Sequence, residues 1–287
     1  MNRVMRKFYL KAPVIATLLI FFCILFAVSS HAVESFNAKE ETIKVGIVMY
    51  HSILDSDKKA GKYVITPELL ESDLKFLREN GYNTVYVSDL MEWVKNGKAL
   101  PEKPVVISFD DGYYNNLSYA LPLLEKYGMK ADISVIGRYT ELYSNSSDKP
   151  NNNYSHLTWD DLKSISGNFE ILNHSYDMHS DDSRMGMRKL PNESKNVFKE
   201  KVSADITKMQ QLLLEKLGIE CRCFTYPYGF LNEATETIIK ELGFEASLSC
   251  YEHINELSHN PDCLFSLGRY NRPYGIPSEK FFENFDY

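Results

Sequence analysis

Residues 105–112 read VVISFDDG, a short and mainly apolar run that ends in two aspartates and a glycine. β-branched and aromatic residues dominate the run, which is typical of a strand. An Asp-Gly pair is typical of a turn, so the chain is expected to leave the sheet at residue 110. The fold then depends on whether the same pattern recurs before and after this stretch.

Short strands and capped helices alternate on both sides of residues 105–112. The first helix shows the signals well: Thr66 suits the N-cap, Pro67 the first helical position and Gly81 the end. Strands are predicted at residues 42–49, 84–87, 105–109, 132–136, 169–173, 223–226, 246–248 and 266–270. Helices are predicted at residues 67–80, 88–96, 117–127, 159–166, 192–217 and 232–242, and a surface loop at 137–156. This alternation indicates parallel strands joined by crossover helices. The predicted fold is α/β, a distorted (β/α) barrel of about seven to eight mostly parallel strands.

The composition is that of a globular protein. Hydrophobic residues make up 44% of the 287 residues and charged residues 25%, with a formal net charge of −7. These values exclude an intrinsically disordered or collagen-like chain, and the length suits one large domain. Because nucleic-acid binding needs a basic surface, the acidic balance argues against a nucleic-acid partner.

The first 32 residues have the order of regions found in an export signal. Basic residues come first, residues 12–28 are apolar and uncharged, and Ser30-His31-Ala32 offers small residues for a signal peptidase. The alternative is an uncleaved membrane anchor through residues 12–28, because such a run can just span a thin bilayer. Either hypothesis places the remaining chain outside the cytoplasm, secreted or anchored at the outer face of the cytoplasmic membrane. Residues 33–41 are then a polar tether, and residues 42–287 form the functional domain.

The exported part contains four cysteines, Cys221, Cys223, Cys250 and Cys263. Export favours disulfides, and four thiols allow three pairings that sequence cannot distinguish. Structural bridges and buried free thiols both stay open, whereas the spacing does not suit a zinc cluster.

Titratable side chains follow four of the predicted strands. In α/β barrels the chemistry lies in the loops after the carboxyl ends of the strands, so these side chains are expected to converge. In chain order they are His51, then Asp110 and Asp111, then His174 and His179, and finally the turn Pro227-Tyr228-Gly229. The sequence therefore predicts one polar site at one end of the sheet.

Two histidines and a carboxylate are typical ligands of a divalent first-row metal with open positions. Such a metal supports hydrolysis, since it activates water and polarises a carbonyl group. Of the two adjacent aspartates, one can bind the metal while the other takes a proton from the attacking water. His51 is the titratable residue available at the same end of the barrel to protonate the leaving group.

Between residues 44 and 272 the sequence resembles the polysaccharide deacetylases of the NodB-homology type, carbohydrate esterase family 4. Residues 108–112 (SFDDG) resemble the family's first motif, which implies that Asp110 is the catalytic base and Asp111 a metal ligand. Residues 174–179 (HSYDMH) resemble the second motif, which implies metal binding by His174 and His179. Residues 224–229 (FTYPYG) resemble the third motif, in which Pro227 and Tyr228 contact the substrate and the Tyr228 N–H stabilises the oxyanion.

Two departures from the common family pattern point to one branch of it. The histidine motif is one residue longer than H-[ST]-x-x-H, and Thr225 stands where an Arg is usual. Together with Tyr50-His51-Ser52-Ile53, these changes resemble the circularly permuted branch that contains the poly-β-1,6-N-acetylglucosamine N-deacetylases. This resemblance implies that His51 is the general acid and that Arg269 orients Asp110.

The resulting hypothesis is a secreted or membrane-tethered, metal-dependent hydrolase that removes N-acetyl groups from N-acetylhexosamine units of an extracellular or cell-wall polysaccharide. Zinc is the expected metal, with cobalt, nickel or iron as alternatives, and a monomer is expected. Two other functions stay open: an acetylxylan-type carbohydrate esterase, and a non-catalytic carbohydrate-binding surface protein with the same fold. His156, in the polar loop 137–156, is predicted to be solvated.

Overall fold

A computed structural model describes residues 41–180 and 184–285. The predicted export signal or anchor and nearly all of the tether at 33–41 lie outside these ranges. Within them, no helix combines the length and apolar character needed to cross a membrane. The described residues from Thr42 onward belong to one compact unit.

The secondary structure alternates between strands and helices, as the sequence predicts. The strands are β1 (Ile43–Tyr50), β2 (Ser52–Ile53), β3 (Val64–Ile65), β4 (Asn83–Thr84), β5 (Pro104–Phe109), β6 (Ala131–Val135), β7 (Phe169–Asn173), β8 (Cys223–Thr225), β9 (Ala246–Leu248), β10 (Asn255–Leu257) and β11 (Tyr270–Asn271). The α-helices are α1 (Pro67–Glu79), α2 (Val87–Asn96), α3 (Leu121–Tyr127), α4 (Gly137–Ser144), α5 (Trp159–Ile165), α6 (Lys195–Leu217), α7 (Glu233–Glu241) and α8 (Ser278–Phe282).

The main sheet is curled and has the strand order β10-β1-β5-β6-β7-β8-β9, with β11 beside β1 and β4 beside β5. Its pairs are parallel except for β1 with β10. The strands form a half-barrel, which confirms the predicted α/β class and distorted barrel. Because β1, β5, β7 and β8 are parallel, their carboxyl ends lie at the same edge of the sheet.

Strand β5 lies beside β1, and their register places Tyr50 opposite Phe109. Both residues are buried. The chain therefore leaves the sheet at neighbouring points, through His51 on one strand and Asp110 on the other. In the middle of β1, a side chain on Gly46 would overlap the ring of Phe285, which packs there. The C-terminal segment can cover β1 because residue 46 has no side chain.

Several predicted boundaries differ from the structure. The predicted loop 137–156 begins with helix α4, whose start packs against the segment after β7: a side chain on Gly137 would meet Tyr176 and Met209. The predicted strand 84–87 shrinks to β4, and the predicted strand 266–270 shrinks and shifts to β11. Strand β10 was not predicted. These elements depend on long-range packing, which local sequence signals do not report.

Cys221, Cys223 and Cys250 are free thiols in the structure. Cys221 and Cys223 are buried, while Cys250 and Cys263 are partly exposed. At the first three positions the structure shows free thiols and not the disulfide bridges that the sequence also leaves open.

Two carboxyl groups, those of Asp132 on β6 and Glu170 on β7, meet at the start of α2. Asp132 accepts a hydrogen bond from the Val87 N–H at 3.2 Å, and Glu170 accepts one from the Ser88 N–H at 3.1 Å. Burial, together with the neighbouring Glu170, raises the pKa of Asp132 well above its usual range. The pKa of Asp132 is higher in the folded state than in the unfolded state. The folded protein therefore loses stability as the pH rises through the folded-state pKa of Asp132.

We therefore expect Asp132→Asn to raise the melting temperature, and the gain to grow between pH 5 and pH 8. The amide keeps an acceptor for the Val87 N–H and removes the buried charge, and each unit of raised pKa corresponds to about 1.4 kcal/mol. Thermal unfolding of both proteins across this pH range measures the effect. An equal pH dependence in the two proteins would contradict it.

Candidate active site

Asp110 is the first residue after β5 and is almost fully buried. Its N–H donates to the Tyr50 carbonyl at 2.9 Å, which holds it against the end of β1. Arg269, itself fully buried, donates to both carboxylate oxygens of Asp110, at 2.6 and 2.8 Å. Burial alone would raise the pKa of Asp110, but the charge and hydrogen bonds of Arg269 hold it below its usual value. Asp110 is therefore an anion at neutral pH, as a general base must be.

Arg269 is also anchored on its other side, where its Nε donates to the Ser249 carbonyl at 2.7 Å. A bidentate guanidinium held in this way fixes the plane of the carboxylate that it contacts. The structure thus contains the contact that the predicted orienting role requires.

His51 follows β1, and its Nε2 lies 4.0 Å from Oδ2 of Asp110. Its ring packs against Tyr63, with 4.9 Å between the ring centroids. Burial lowers the pKa of His51 in spite of the neighbouring carboxylates, so the imidazole is neutral at pH 7. A neutral His51 must receive a proton before it can donate one.

Asp111, His174 and His179 form the group whose spacing suits a metal ion. Their ligand atoms lie within 4.8 Å of one another, and Oδ1 of Asp111 is 3.6 Å from Nε2 of His174 and 3.2 Å from Nε2 of His179. This Oδ1 is buried and forms no hydrogen bond with a described residue. A buried acceptor without such a bond is costly unless a cation or a water meets it. The three residues therefore fit a divalent cation.

The tautomer of His174 also suits metal binding. Its Nδ1 lies 2.8 Å from the carbonyl oxygen of Thr225, and because a carbonyl only accepts, Nδ1 carries the proton. The lone pair is then on Nε2, the atom that faces Asp111. Thr225, which stands in the place of the usual Arg, contributes this carbonyl.

Three residues of the site adopt left-handed backbone conformations that side chains disfavour. Their φ angles are +72° at Asp111, +69° at Ser175 and +56° at Tyr228. Such strain persists where tertiary contacts enforce it, and it is concentrated at functional sites. Gly112 follows with φ +68°, where a side chain would meet Val135.

A cavity of about 420 Å³ opens above these groups. Its lining combines carboxylates and imidazoles with aromatic side chains, a combination that suits a ligand with apolar faces and polar edges. The lining includes His51, Tyr63, Asp110, Asp111, Tyr113, His174, His179, Met185, Tyr228 and Phe230.

The structure brings together nearly all of the residues that the sequence singles out. His51, Asp110, Asp111, His174, His179 and Tyr228 line the cavity. The ring of Tyr228 lies 4.3 Å from that of His179, and its oxyanion role stays a prediction. Pro227 is buried and is not among the lining residues, and its predicted contact with the substrate stays a prediction.

Other lining residues, among them Tyr63, Met185 and Phe230, were not predicted from the sequence. These three lie in loops, and no motif marks them. The expectation for His156 was wrong. Its ring packs between those of Tyr113 and Tyr139, at 4.8 and 4.5 Å, and burial lowers its pKa to about 4.

Comparison with known proteins agrees with this geometry. The family model named "Polysaccharide deacetylase" matches residues 97–247, more than half of the chain. The chain therefore belongs to the polysaccharide deacetylase family.

Among curated relatives, the poly-β-1,6-N-acetyl-D-glucosamine N-deacetylase of Escherichia coli K12 is 23% identical over 225 residues. That alignment covers 69% of this chain but only 32% of the longer relative. The enzyme of the same name from Staphylococcus aureus MRSA252 is 23% identical over 199 residues, with 69% of this chain and 64% of the relative covered.

Two solved structures share the fold at 25% identity. A de-N-acetylase from Aggregatibacter actinomycetemcomitans superposes with a TM-score of 0.72 over 85% of this chain and 100% of the other. IcaB from Ammonifex degensii superposes with a TM-score of 0.66 over 80% of this chain and 92% of the other.

Proposed function

We propose that this protein is a metal-dependent hydrolase that removes N-acetyl groups from N-acetylhexosamine units of a polysaccharide outside the cytoplasm. One observation carries the proposal: a carboxylate base fixed by Arg269 lies beside a carboxylate and two histidines spaced for a metal, all in one cavity. The N-terminal export pattern supports the location. The names of the relatives in Escherichia coli and Staphylococcus aureus support a β-1,6-linked N-acetylglucosamine polymer as substrate.

Asp111, His174 and His179 would hold the metal, and zinc is expected on the grounds of ligand type. When bound, such a metal lowers the pKa of water and polarises the substrate carbonyl group. Asp110 takes the proton of the attacking water as the oxygen bonds to the acetyl carbon. The Tyr228 N–H stabilises the charge that develops on the carbonyl oxygen.

The leaving amine needs a proton when the C–N bond breaks. Because His51 is neutral at rest, it receives the proton from Asp110, whose Oδ2 lies 4.0 Å from its Nε2, a distance that must shorten to hydrogen-bond length for the transfer. His51 then donates that proton to the amine. The products are a free amino sugar and acetic acid, which releases its proton to water to give acetate, and both side chains return to their initial states.

The test is mass spectrometry of defined oligosaccharides after incubation with zinc-loaded protein. A loss of acetyl groups from β-1,6-linked N-acetylglucosamine, abolished by a chelator and restored by zinc, is the expected result. Matched incubations contain β-1,4-linked N-acetylglucosamine, peptidoglycan fragments and acetylated xylan. If only acetylated xylan loses acetyl groups, the protein is an esterase and not an amidase. If no substrate gives a product, the proposed catalysis is contradicted.

His51→Ala should lower kcat by about 10²–10⁴-fold, because a positioned general acid contributes on that order. Zinc affinity should change little, since His51 is not among the three grouped ligands. Kinetics and zinc titration of the same preparations separate the two effects. If kcat is unchanged, another residue is the acid.

A further inference from the structure

The segment from His174 to His179 carries both histidines of the metal group, and we call residues 174–179 the histidine loop. It is one residue longer than the H-[ST]-x-x-H pattern. A longer loop has more conformations, so fixing its second histidine costs more entropy. The structure holds this loop from two sides, through helix α4 and helix α6.

Helix α4 satisfies carbonyl groups of the loop. The Gly137 N–H donates to the Ser175 carbonyl at 3.1 Å, and the Arg138 N–H donates to the Tyr176 carbonyl at 2.8 Å. The Arg138 guanidinium also pairs with the exposed carboxylate of Asp177 at 2.8 Å. These contacts hold one edge of the loop.

Helix α6 satisfies two N–H groups of the loop through a single side chain, that of Asp205. Oδ1 of Asp205 accepts from the Tyr176 N–H at 2.8 Å, and Oδ2 accepts from the Asp177 N–H at 2.9 Å. Both N–H groups lie in the middle of the histidine loop. One carboxylate that accepts two successive N–H groups restricts the backbone between them, and charged acceptors form the stronger hydrogen bonds.

We propose that Asp205 is a positioning residue, which holds the histidine loop so that His179 meets Asp111 and His174. It touches none of the three metal-group residues and acts through the backbone of Tyr176 and Asp177. The inference deepens the proposed metal site and rests on it.

The surroundings of Asp205 make this contact sensitive to pH. Burial, with Asp177 nearby, raises the pKa of Asp205 to about 6, although the two N–H groups and Lys208 favour the anion. Protonation weakens the carboxylate as an acceptor, so the contact weakens as the pH falls through about 6. The charged and titratable groups around Asp205 are Tyr176 and Asp177 in the loop, Lys208 on α6, and Arg138 and Glu141 on α4. The Lys208 ammonium lies 3.3 Å from the centre of the Tyr176 ring.

The test measures zinc binding to the metal-free protein. Asp205→Asn should weaken zinc affinity about tenfold, the lower end of the range for residues that support metal ligands. In the same protein, hydrogen exchange at the Tyr176 and Asp177 amides should accelerate. The melting temperature should change little, because the lost hydrogen bond is offset by removal of a partly buried charge. Glu200→Gln, an exposed site on α6, is the matched control and should change neither affinity nor exchange.

Wild-type protein and Asp205→Asn contain the same histidines, so protonation of the histidines affects both zinc affinities. The ratio of the two affinities therefore reports the contribution of Asp205. We expect this ratio to fall towards 1 as the pH drops from 7.5 to 5.5. Equal affinities at pH 7.5, a constant ratio, or unchanged exchange at the two amides would overturn the proposal. Neither measurement needs a substrate, so a failure of deacetylation leaves this result interpretable.

Discussion

Replacing Asp110 with asparagine is expected to lower the deacetylation rate by about 10²–10⁴-fold, the range that a positioned general base contributes. The amide has nearly the same shape but cannot take a proton from water. Zinc affinity should stay near the wild-type value, because Asp111, His174 and His179 are unchanged. Product formation from a β-1,6-linked oligomer and zinc content, measured on one preparation, check both parts.

Asp160→Asn is the matched control for the loss of one negative charge, since Asp160 is exposed and does not line the active-site cavity. It should keep the wild-type rate. Asp110→Asn also leaves Arg269 without its anionic partner, so circular dichroism must show that the variant is folded at the assay temperature. A folded variant that binds zinc and retains activity would remove Asp110 from the role of base.

The second large effect is expected for Arg269→Met, which leaves Asp110 buried without its cation. Breaking a buried ion pair by removing one partner costs about 3–5 kcal/mol of stability. Arg269 also lowers the pKa of Asp110, so its removal should raise that pKa. Because the base must be ionised, the acidic limb of the pH–kcat/KM profile should move to higher pH.

Arg272→Met provides a matched control. Arg272 is fully buried and donates to both oxygens of Asp73, at 2.8 and 2.9 Å, so the pair resembles Arg269 with Asp110. It does not line the cavity. Both variants should be destabilised, but only Arg269→Met should move the acidic limb. An equal shift in both variants would attribute the change to instability, and no shift in either would contradict the influence of Arg269 on Asp110.

Local sequence signals were sufficient for the architecture at the centre of the sheet. The VVISF run became β5, and Asp110 and Asp111 left the sheet where the strand ended. Parallel strands bring their carboxyl ends together, so the convergence of His51, Asp110 and His174 followed from the strand order. Short peripheral elements such as β10 and α4 were missed or misplaced, because they form through contacts with distant residues.

The same division applies to the site. The resemblance to the family's motifs implied that Asp111, His174 and His179 bind a metal, and the structure places these three residues together. No local sequence signal predicts that His156 packs among tyrosines, or that Asp205 accepts hydrogen bonds from the histidine loop. Each contact joins two segments that are brought together by the loops between them.

The sequence by itself thus determined the strand-helix order, the end of the sheet that carries the polar residues, and the chemical types present there. Strand periodicity, helix caps and turn residues involve only a few neighbouring positions, so they can be recognised in the sequence alone. Only the tertiary structure decided that Arg269 binds Asp110 through both oxygens, across 159 positions of chain. Burial of both partners makes that contact strong, and burial depends on the packing of the whole domain.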